Sequence, residues 1–571
     1  MTQNRILLAA SAALALGACQ STYSGEAPVV AAPPAIQPGV VSAADRRAAE
    51  AGADILRQGG SATDAAIAVM LALTVVEPQS SGIGGGGFFL RTNAQGDLVS
   101  IDGRETAPAE AGPDWFLGDD GEPLGFRDAV ISGRSVGVPG NIALAASAHE
   151  QYGQLEWEAL FQPAIRLARD GWVLSERFVR FAERSSNRAA HQTEGAALFF
   201  DGDGNALPAG TMVTNPELAA TLEALATDGP DHMYADRAAE LAAHVASQTP
   251  GDAAMRTSDI TGYAAAQRPA LCGDYRDYTI CSMGPPSSGA TTVLAILGQL
   301  ERFDMTALGP ESPSAWHLFA ESQRLAYADR EVYLADPDFV SVPAGITDPA
   351  YLAMRSQLMA SDARMETVEA GTPPGIALAP PDGDEPVENG TSHFAVTDSA
   401  GTMVSWTSTI EGAFGSGLMF GGYYLNNELT DFSFRPERDG ASVANRVEGG
   451  KRPRSSMAPT IVFNANGAPV LAIGAAGGGT IPVQVAKALV GYIDWDLSAQ
   501  DAIALPMLYS PGDTVTIEDD NAVPGLQTAL EAMGHTVSAR DLPLKANAVE
   551  WRDGRWIGAA DPRSEGAAVT Q

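Results

Sequence analysis

Cysteine is nearly absent from this chain: three residues in 571. Histidine is scarce as well, at seven. No second Cys pair or His pair stands near Cys272 and Cys281, so a Cys/His zinc site lacks ligands. Basic residues are few, 35 Lys and Arg against 70 Asp and Glu, for a net charge of −35. Phosphate backbones are held by Lys/Arg stripes, so nucleic acid is not an expected partner. The acidity reads as solubility. A membrane-spanning run is missing at the start too: Ile6 to Leu16 is too short to cross a bilayer as a stable helix. No internal repeat is present.

That short run has another use. Met1-Thr-Gln-Asn-Arg5 is a basic lead, and Leu16-Gly17-Ala18 places small residues before Cys19. Residues 1–18 read as a secretory signal peptide. Small residues directly before a cysteine resemble a bacterial lipobox, which makes Cys19 the expected lipidation site. The alternative is an ordinary signal with a chance cysteine. The Ala-, Pro- and Ser-rich stretch to Pro38 reads as a flexible tether. The expected location is periplasmic or cell-envelope, with the membrane met only through a lipid anchor. An exported compartment permits a structural Cys272–Cys281 disulfide closing a short loop. Two free thiols are the alternative.

The remainder, 45% hydrophobic overall, suits a large globular protein with ample core. Residues 42–75 read as one helix with Ser42 as N-cap. Phe88 to Arg91 reads as a strand. Helical patterns fill 141–250 and 314–334. Strands are expected at 392–398, 402–409, 421–426, 458–463 and 468–474, and a helix at 482–493. This mix predicts α+β layers.

The most informative stretch is 388–409. An acidic, Pro- and Gly-rich segment, Pro380-Pro381-Asp382-Gly383-Asp384-Glu385-Pro386, ends at Asn389-Gly390-Thr391. A β-branched strand begins there, turns at Asp398-Ser399-Ala400-Gly401 and returns. A hairpin centred near residue 400 sets residue i opposite 800 − i, so Thr409 falls across from Thr391. If the chain were cut after Gly390, Thr391 would carry a nucleophilic hydroxyl and a free α-amine titrating near pH 8. That is an activated nucleophile with its own base. An ordinary hairpin also ends in Thr, because Thr is a good strand residue.

Other motifs resolve differently. Gly82-x-Gly84-x-x-Gly87 matches a dinucleotide fingerprint in form. Its order is helix, Gly run, strand rather than strand, Gly turn, helix, so NAD is rejected. Asp201-Gly-Asp203-Gly-Asn205 hints at a calcium loop, but Ala206 and Met212 stand where Gly and Glu are needed. No metal is expected. His393 shares a strand face with Thr391; without a Gly-x-Ser-x-Gly elbow, it is expected to pack near the nucleophile rather than serve as its base.

Several separated motifs, in one order, give this sequence its character. They include Val76-Glu77-Pro78-Gln79-Ser80-Ser81-Gly82-Ile83-Gly84-Gly85, Asp102-Gly103-Arg104-Glu105-Thr106 and Pro285-Pro286-Ser287-Ser288-Gly289. Beyond Thr391 come Leu425-Asn426-Asn427-Glu428-Leu-Thr-Asp431-Phe432, Lys451-Arg-Pro-Arg-Ser455-Ser456 and Gly477-Gly478. From about Val40 to Val569 the chain resembles the γ-glutamyltranspeptidase family of N-terminal-nucleophile hydrolases. The resemblance implies a four-layer αββα sandwich. It implies cleavage between Gly390 and Thr391 into a large subunit, 39–390, and a small one, 391–571, forming one intertwined domain. It implies Thr391 as nucleophile, Thr409 as its hydroxyl partner and Gly477-Gly478 as the oxyanion site. Arg104, with Ser455 and Ser456, would take a donor's α-carboxylate; Glu411, Glu428 and Asp431 would take its α-ammonium. The family often has amides at the first two of those acids, so Glu at both is a departure. The 431–455 loop has no Tyr, which predicts an open or weakly gated site. The implied donors are glutathione or other γ-glutamyl small molecules, with water or an amino acid or peptide as acceptor, and no cofactor. Two alternatives stand: a related acylase of glutaryl-type β-lactam side chains, and an inactive surface lipoprotein.

Overall fold

The structure, a computed structural model, describes residues 37–376, 379–383, 390–519, 523–542 and 544–571. The signal, Cys19 and most of the tether lie outside them, as do residues 384–389 before the expected cut. The chain from Gln37 to Gln571 forms one compact unit. Among the described residues, no helix is long and apolar enough to cross a membrane.

Two sheets stack face to face. The first contains β1 (Val40–Ala43), β2 (Gly86–Thr92), β3 (Leu98–Gly103) and β4 (Ala266–Gln267). The second begins with the hairpin β5 (Leu271–Tyr275) and β6 (Tyr278–Ser282). The central hairpin of the first sheet is β7 (Ser392–Thr397) with β8 (Met403–Thr409). The second sheet adds β9 (Thr460–Phe463), β10 (Pro469–Ala476), β11 (Lys545–Arg552) and β12 (Arg555–Ala560), and β13 (Ala567–Thr570) returns to the first. The strand orders are β13-β1-β7-β8-β2-β3-β4 and β12-β11-β10-β9-β6-β5. Both halves of the expected cut therefore supply strands to both sheets, which is what intertwines them.

Helices cover the outer faces: α1 (Arg46–Arg57) and α2 (Ala62–Val76) on the first sheet. On the second lie α4 (Gly289–Leu300) and α6 (Ile481–Ile493), with α5 (Pro313–Tyr333) against α4. A further helix, α3 (Glu176–Arg184), belongs to the helical region between β3 and β4. The result is the αββα sandwich.

Side-chain alternation along β7 and β8 explains the layering. Phe394 and Val396 sit opposite Trp406 and Val404 and pack into the α1/α2 core. Ala395 and Met403 belong instead to the core of the second sheet and its helices. Both faces are buried, polar side chains included: Ser392, His393, Ser405 and Thr407 are fully covered.

The expected helix over 42–75 is corrected. Ser42 lies in β1 and its hydroxyl donates to the Ala559 carbonyl (2.6 Å), so it is not a cap. Asp45 and Ser61 cap two separate helices, Ser61 in a reciprocal capping box with Asp64. Gly59, at φ +89°, makes the break. The strand expected over 421–426 shrinks to Tyr423–Tyr424, paired only with Met419–Phe420.

Cys272 and Cys281 face each other across the β5–β6 hairpin and form a disulfide. Closing so short a loop is worth about 2–3 kcal/mol in the chain-entropy account. Thiol labelling of denatured, unreduced protein should find neither sulfur free. Cys272→Ser/Cys281→Ser should lower stability by about that amount; labelling of both wild-type sulfurs would contradict the pairing.

Candidate active site

The β7–β8 ladder pairs Ser392 with Ser408 and Met403 with Thr397, the register that the 800 − i rule predicts. At its open end the Thr391 hydroxyl donates to Thr409 Oγ1 at 3.2 Å. Thr409 Oγ1 also accepts the Glu411 N–H at 2.8 Å, which fixes its orientation. The Thr391 N–H donates to the Ser80 carbonyl (3.1 Å). The Gly390 carbonyl accepts the Gly477 N–H (3.1 Å), and Gly477 follows directly on β10.

Two glycine constraints shape this junction. A Cβ on Gly390 would lie 1.6 Å from the Glu411 carbonyl oxygen, so no side chain fits before Thr391. The Gly84-Gly85 run lets backbone pass backbone: Cβ atoms there would meet the Tyr424 and Thr409 carbonyls at 2.1 and 2.0 Å. Thr391 itself is held at φ +89°, a region β-branched residues avoid. Such a torsion costs about 1–3 kcal/mol.

The adjoining pocket is lined by Arg104, Thr391, Thr409, Glu411, Glu428, Asp431, Ser455 and Gly478. The sequence-predicted residues thus converge, with two exceptions in detail. The Ser456 hydroxyl accepts from Arg330 Nη2 (2.6 Å), so only Ser455 of the pair lines the pocket. Gly477 meets the Gly390 carbonyl, while Gly478 faces the pocket.

Arg104 follows β3 and is 1% exposed. Its guanidinium pairs with Glu428 and, at 2.5 Å, with Asp431, and donates to the Arg454 carbonyl at 2.8 Å. Carboxylate and ammonium sites are therefore not two separate walls: Arg104 and its acids form one buried cluster. Glu411 meets Asn427 Nδ2 at its edge. Glu105, next to Arg104 in sequence, is buried behind, its carboxyl oxygens without a hydrogen-bond partner among the described residues. Burial pushes the Glu105 carboxyl up to about 7, opposed by Arg104. Burial pushes Glu428 well above the carboxylate range, against the pull of Arg104 and with added repulsion from Glu105 and Asp431. Burial therefore favours the protonated forms of Glu105 and Glu428 beside Arg104.

A further buried group escaped sequence reading. Lys545 Nζ bonds Glu77 Oε2 (2.7 Å) and Ser392 Oγ (3.2 Å), and Ser392 Oγ donates to Glu77 (2.5 Å). These residues tie β11, the α2 C-terminus and β7 together one residue behind Thr391. Their separation of 468 residues in sequence explains why no local pattern signalled them.

His393 packs against Gly474, and its Nδ1 lies 2.9 Å from Thr407 Oγ1. Burial pushes its pKa down to about 3, so it stays neutral at working pH. The unfolded chain takes up this proton near pH 6.5 and the folded one only near 3. Folding stability should therefore fall as pH drops from 6.5 towards 3, by about 1.4 kcal/mol per unit from this group. His393→Gln should flatten that part of a denaturation-versus-pH profile; an unchanged slope would show that His393 ionises freely.

The family model for gamma-glutamyltranspeptidase matches residues 48–571. A glutathione hydrolase proenzyme of Bacillus subtilis (strain 168) is 34% identical, over 93% of this chain and 91% of its own length. That of Escherichia coli (strain K12) is 35% identical, over 92% and 90%. The solved cephalosporin acylase from Bacillus halodurans superposes with a TM-score of 0.82 at 25% identity, over 97% of this chain and 99% of that one. This chain belongs to the γ-glutamyltranspeptidase family.

Proposed function

We propose that the chain is an autoprocessing γ-glutamyl hydrolase/transferase with Thr391 as nucleophile. The observation that carries the reading is the junction itself: a Gly390 carbonyl bonded by the Gly477 N–H, beside a Thr391 hydroxyl bonded to Thr409. In the precursor the Thr391 hydroxyl attacks the Gly390 carbonyl carbon, and the Gly477 N–H stabilises the oxyanion. The Gly390–Thr391 amide breaks as the ester forms. Water then hydrolyses the ester, leaving a carboxylate on Gly390 and a free amine on Thr391. Cleavage removes the φ torsion at Thr391, so its strain favours the reaction.

In the mature enzyme the α-amine takes the hydroxyl proton as Thr391 Oγ1 attacks a γ-glutamyl carbonyl. The proton passes to the leaving amine. Water, or the amine of an acceptor, then releases the γ-glutamyl group. The donor's α-carboxylate and α-ammonium supply the two charge types that Arg104 and its acids accept. No metal or cofactor enters these steps. The sequence of residues 1–19 supports export and a lipid anchor at Cys19.

A second reading, removal of glutaryl-type side chains, is favoured by the likeness to a cephalosporin acylase. Glutaryl groups lack the α-ammonium, and the surplus of acids around Arg104 argues against them. The intact Thr391–Thr409 and Gly477–Gly478 arrangement argues against an inactive lipoprotein.

Thr391→Ala should remain a single uncut chain without turnover, and its full cleavage would sink the mechanism. Wild-type enzyme should favour a γ-glutamyl anilide over its glutaryl analogue. In Asp431→Asn, an unpaired charge in a partly dry pocket costs about 2–5 kcal/mol. Its kcat/KM for the γ-glutamyl anilide should fall on the order of 30-fold or more. The glutaryl analogue should lose several-fold less, through the shared contact with Arg104. Equal losses would assign Asp431 a purely structural role.

A further inference from the structure

Beside the catalytic pocket lies a second cleft of about 350 Å³, lined by Phe126, Arg127, Arg184, Asn187 and Arg188 among others, with no carboxylate in its lining among the described residues. In a chain of net charge −35, three arginines lining one cleft, with Glu411 only behind Arg188, call for an anion. Arg127 and Arg184 are exposed, and their side chains have no hydrogen-bond or ion-pair partner among the described residues.

The cleft abuts the donor pocket on two sides. The short helix Phe126–Val130 packs against the turn Glu428–Asp431. Arg188 Nη1 donates to the Gly415 carbonyl (3.3 Å) and stands 2.4 Å from where a Cβ on Gly412 would be. Gly412 follows Glu411, the carboxylate whose charge bears on Arg188. A side chain at 412 would press on the guanidinium, so Gly412 lets Arg188 lie against the 411–417 loop. Exposed Phe126 adds an apolar rim.

We propose that this cleft is a carboxylate subsite for the amino acid or peptide on the far side of the scissile γ-glutamyl bond. The inference rests on the γ-glutamyl reading above. The leaving group of the first step and the acceptor of the second are the same chemical class, an amine bearing a carboxylate, so one subsite serves both directions. Guanidinium forks suit that group by bidentate hydrogen bonding. Arg127 and Arg184 act at the rim; Arg188 forms the inner wall.

The test uses two donors that differ in one charge: γ-glutamyl-glycylglycine and its C-terminal amide. Wild-type enzyme should hydrolyse the free acid with a kcat/KM roughly three- to tenfold higher, as expected for half-exposed ion pairs, and salt should erode the difference. Arg127→Gln/Arg184→Gln, which touches exposed side chains only, should abolish the preference while leaving the amide's kcat/KM unchanged. An unaltered preference in that variant overturns the subsite, and so does the absence of any preference in the wild type. If neither donor is turned over, the γ-glutamyl reading fails instead. Saturation-transfer NMR with glycylglycine and glycylglycine amide then decides the subsite alone. Contacts that need the carboxylate and vanish in the double variant support it; equal contacts for both peptides overturn it.

Discussion

The hydrogen-bond ladder between β7 and β8 sets Ser392 opposite Ser408 and so brings two threonine hydroxyls to 3.2 Å. A slip of one residue between the strands would turn either Phe394 and Val396 or Val404 and Trp406 from the α1/α2 core towards the opposing sheet. At roughly 1.5–3 kcal/mol per buried side chain, two such reversals cost about 3–6 kcal/mol, a large share of a domain's whole stability. The hydrophobic pattern of the strands therefore fixes the chemistry at their end. Lys545, Glu77 and Ser392 hold the same strand from behind, linking its first residue to β11 and α2.

Around that hairpin end, space and charge are both tight. The chain before Thr391 passes so close to Glu411 that only glycine fits, and the Gly84-Gly85 crossing is equally close to β8 and Tyr424. Charge is concentrated on the other wall, where buried Arg104 faces Glu428 and Asp431 with Glu105 behind. A cluster this dry discriminates by ionic match rather than by shape. On the proposed reading it takes a ligand head that carries both signs.

Much of this was legible in the sequence because its signals are local. The Asn389-Gly390-Thr391 junction, the turn at 398–401 and the alternation on either side fix the hairpin and its register. The resemblance carried Arg104, Glu411, Glu428, Asp431 and Ser455 to one pocket, where the structure places them. What was missed depends on tertiary context. Ser42 looked like a cap because a buried strand of four small and branched residues cannot be told from a helix start by composition. Ser456 looked like a pocket residue because its neighbour is one, yet Arg330 on α5 claims its hydroxyl. Glu105 carries no local signal, and only burial reveals it as part of the acid cluster. The direct pairing of Arg104 with Asp431 joins residues 327 apart and has no sequence signature.

The central claim is that Thr391 becomes an N-terminal nucleophile that carries a γ-glutamyl group. Mass spectrometry of the enzyme, quenched in acid during turnover of a γ-glutamyl anilide, tests it directly. The account predicts a fragment that begins at Thr391 and bears one γ-glutamyl group on that residue, lost on a chase with hydroxylamine. A chain still joined through Gly390–Thr391 that nevertheless turns over donor, or an adduct on any other residue, would contradict it.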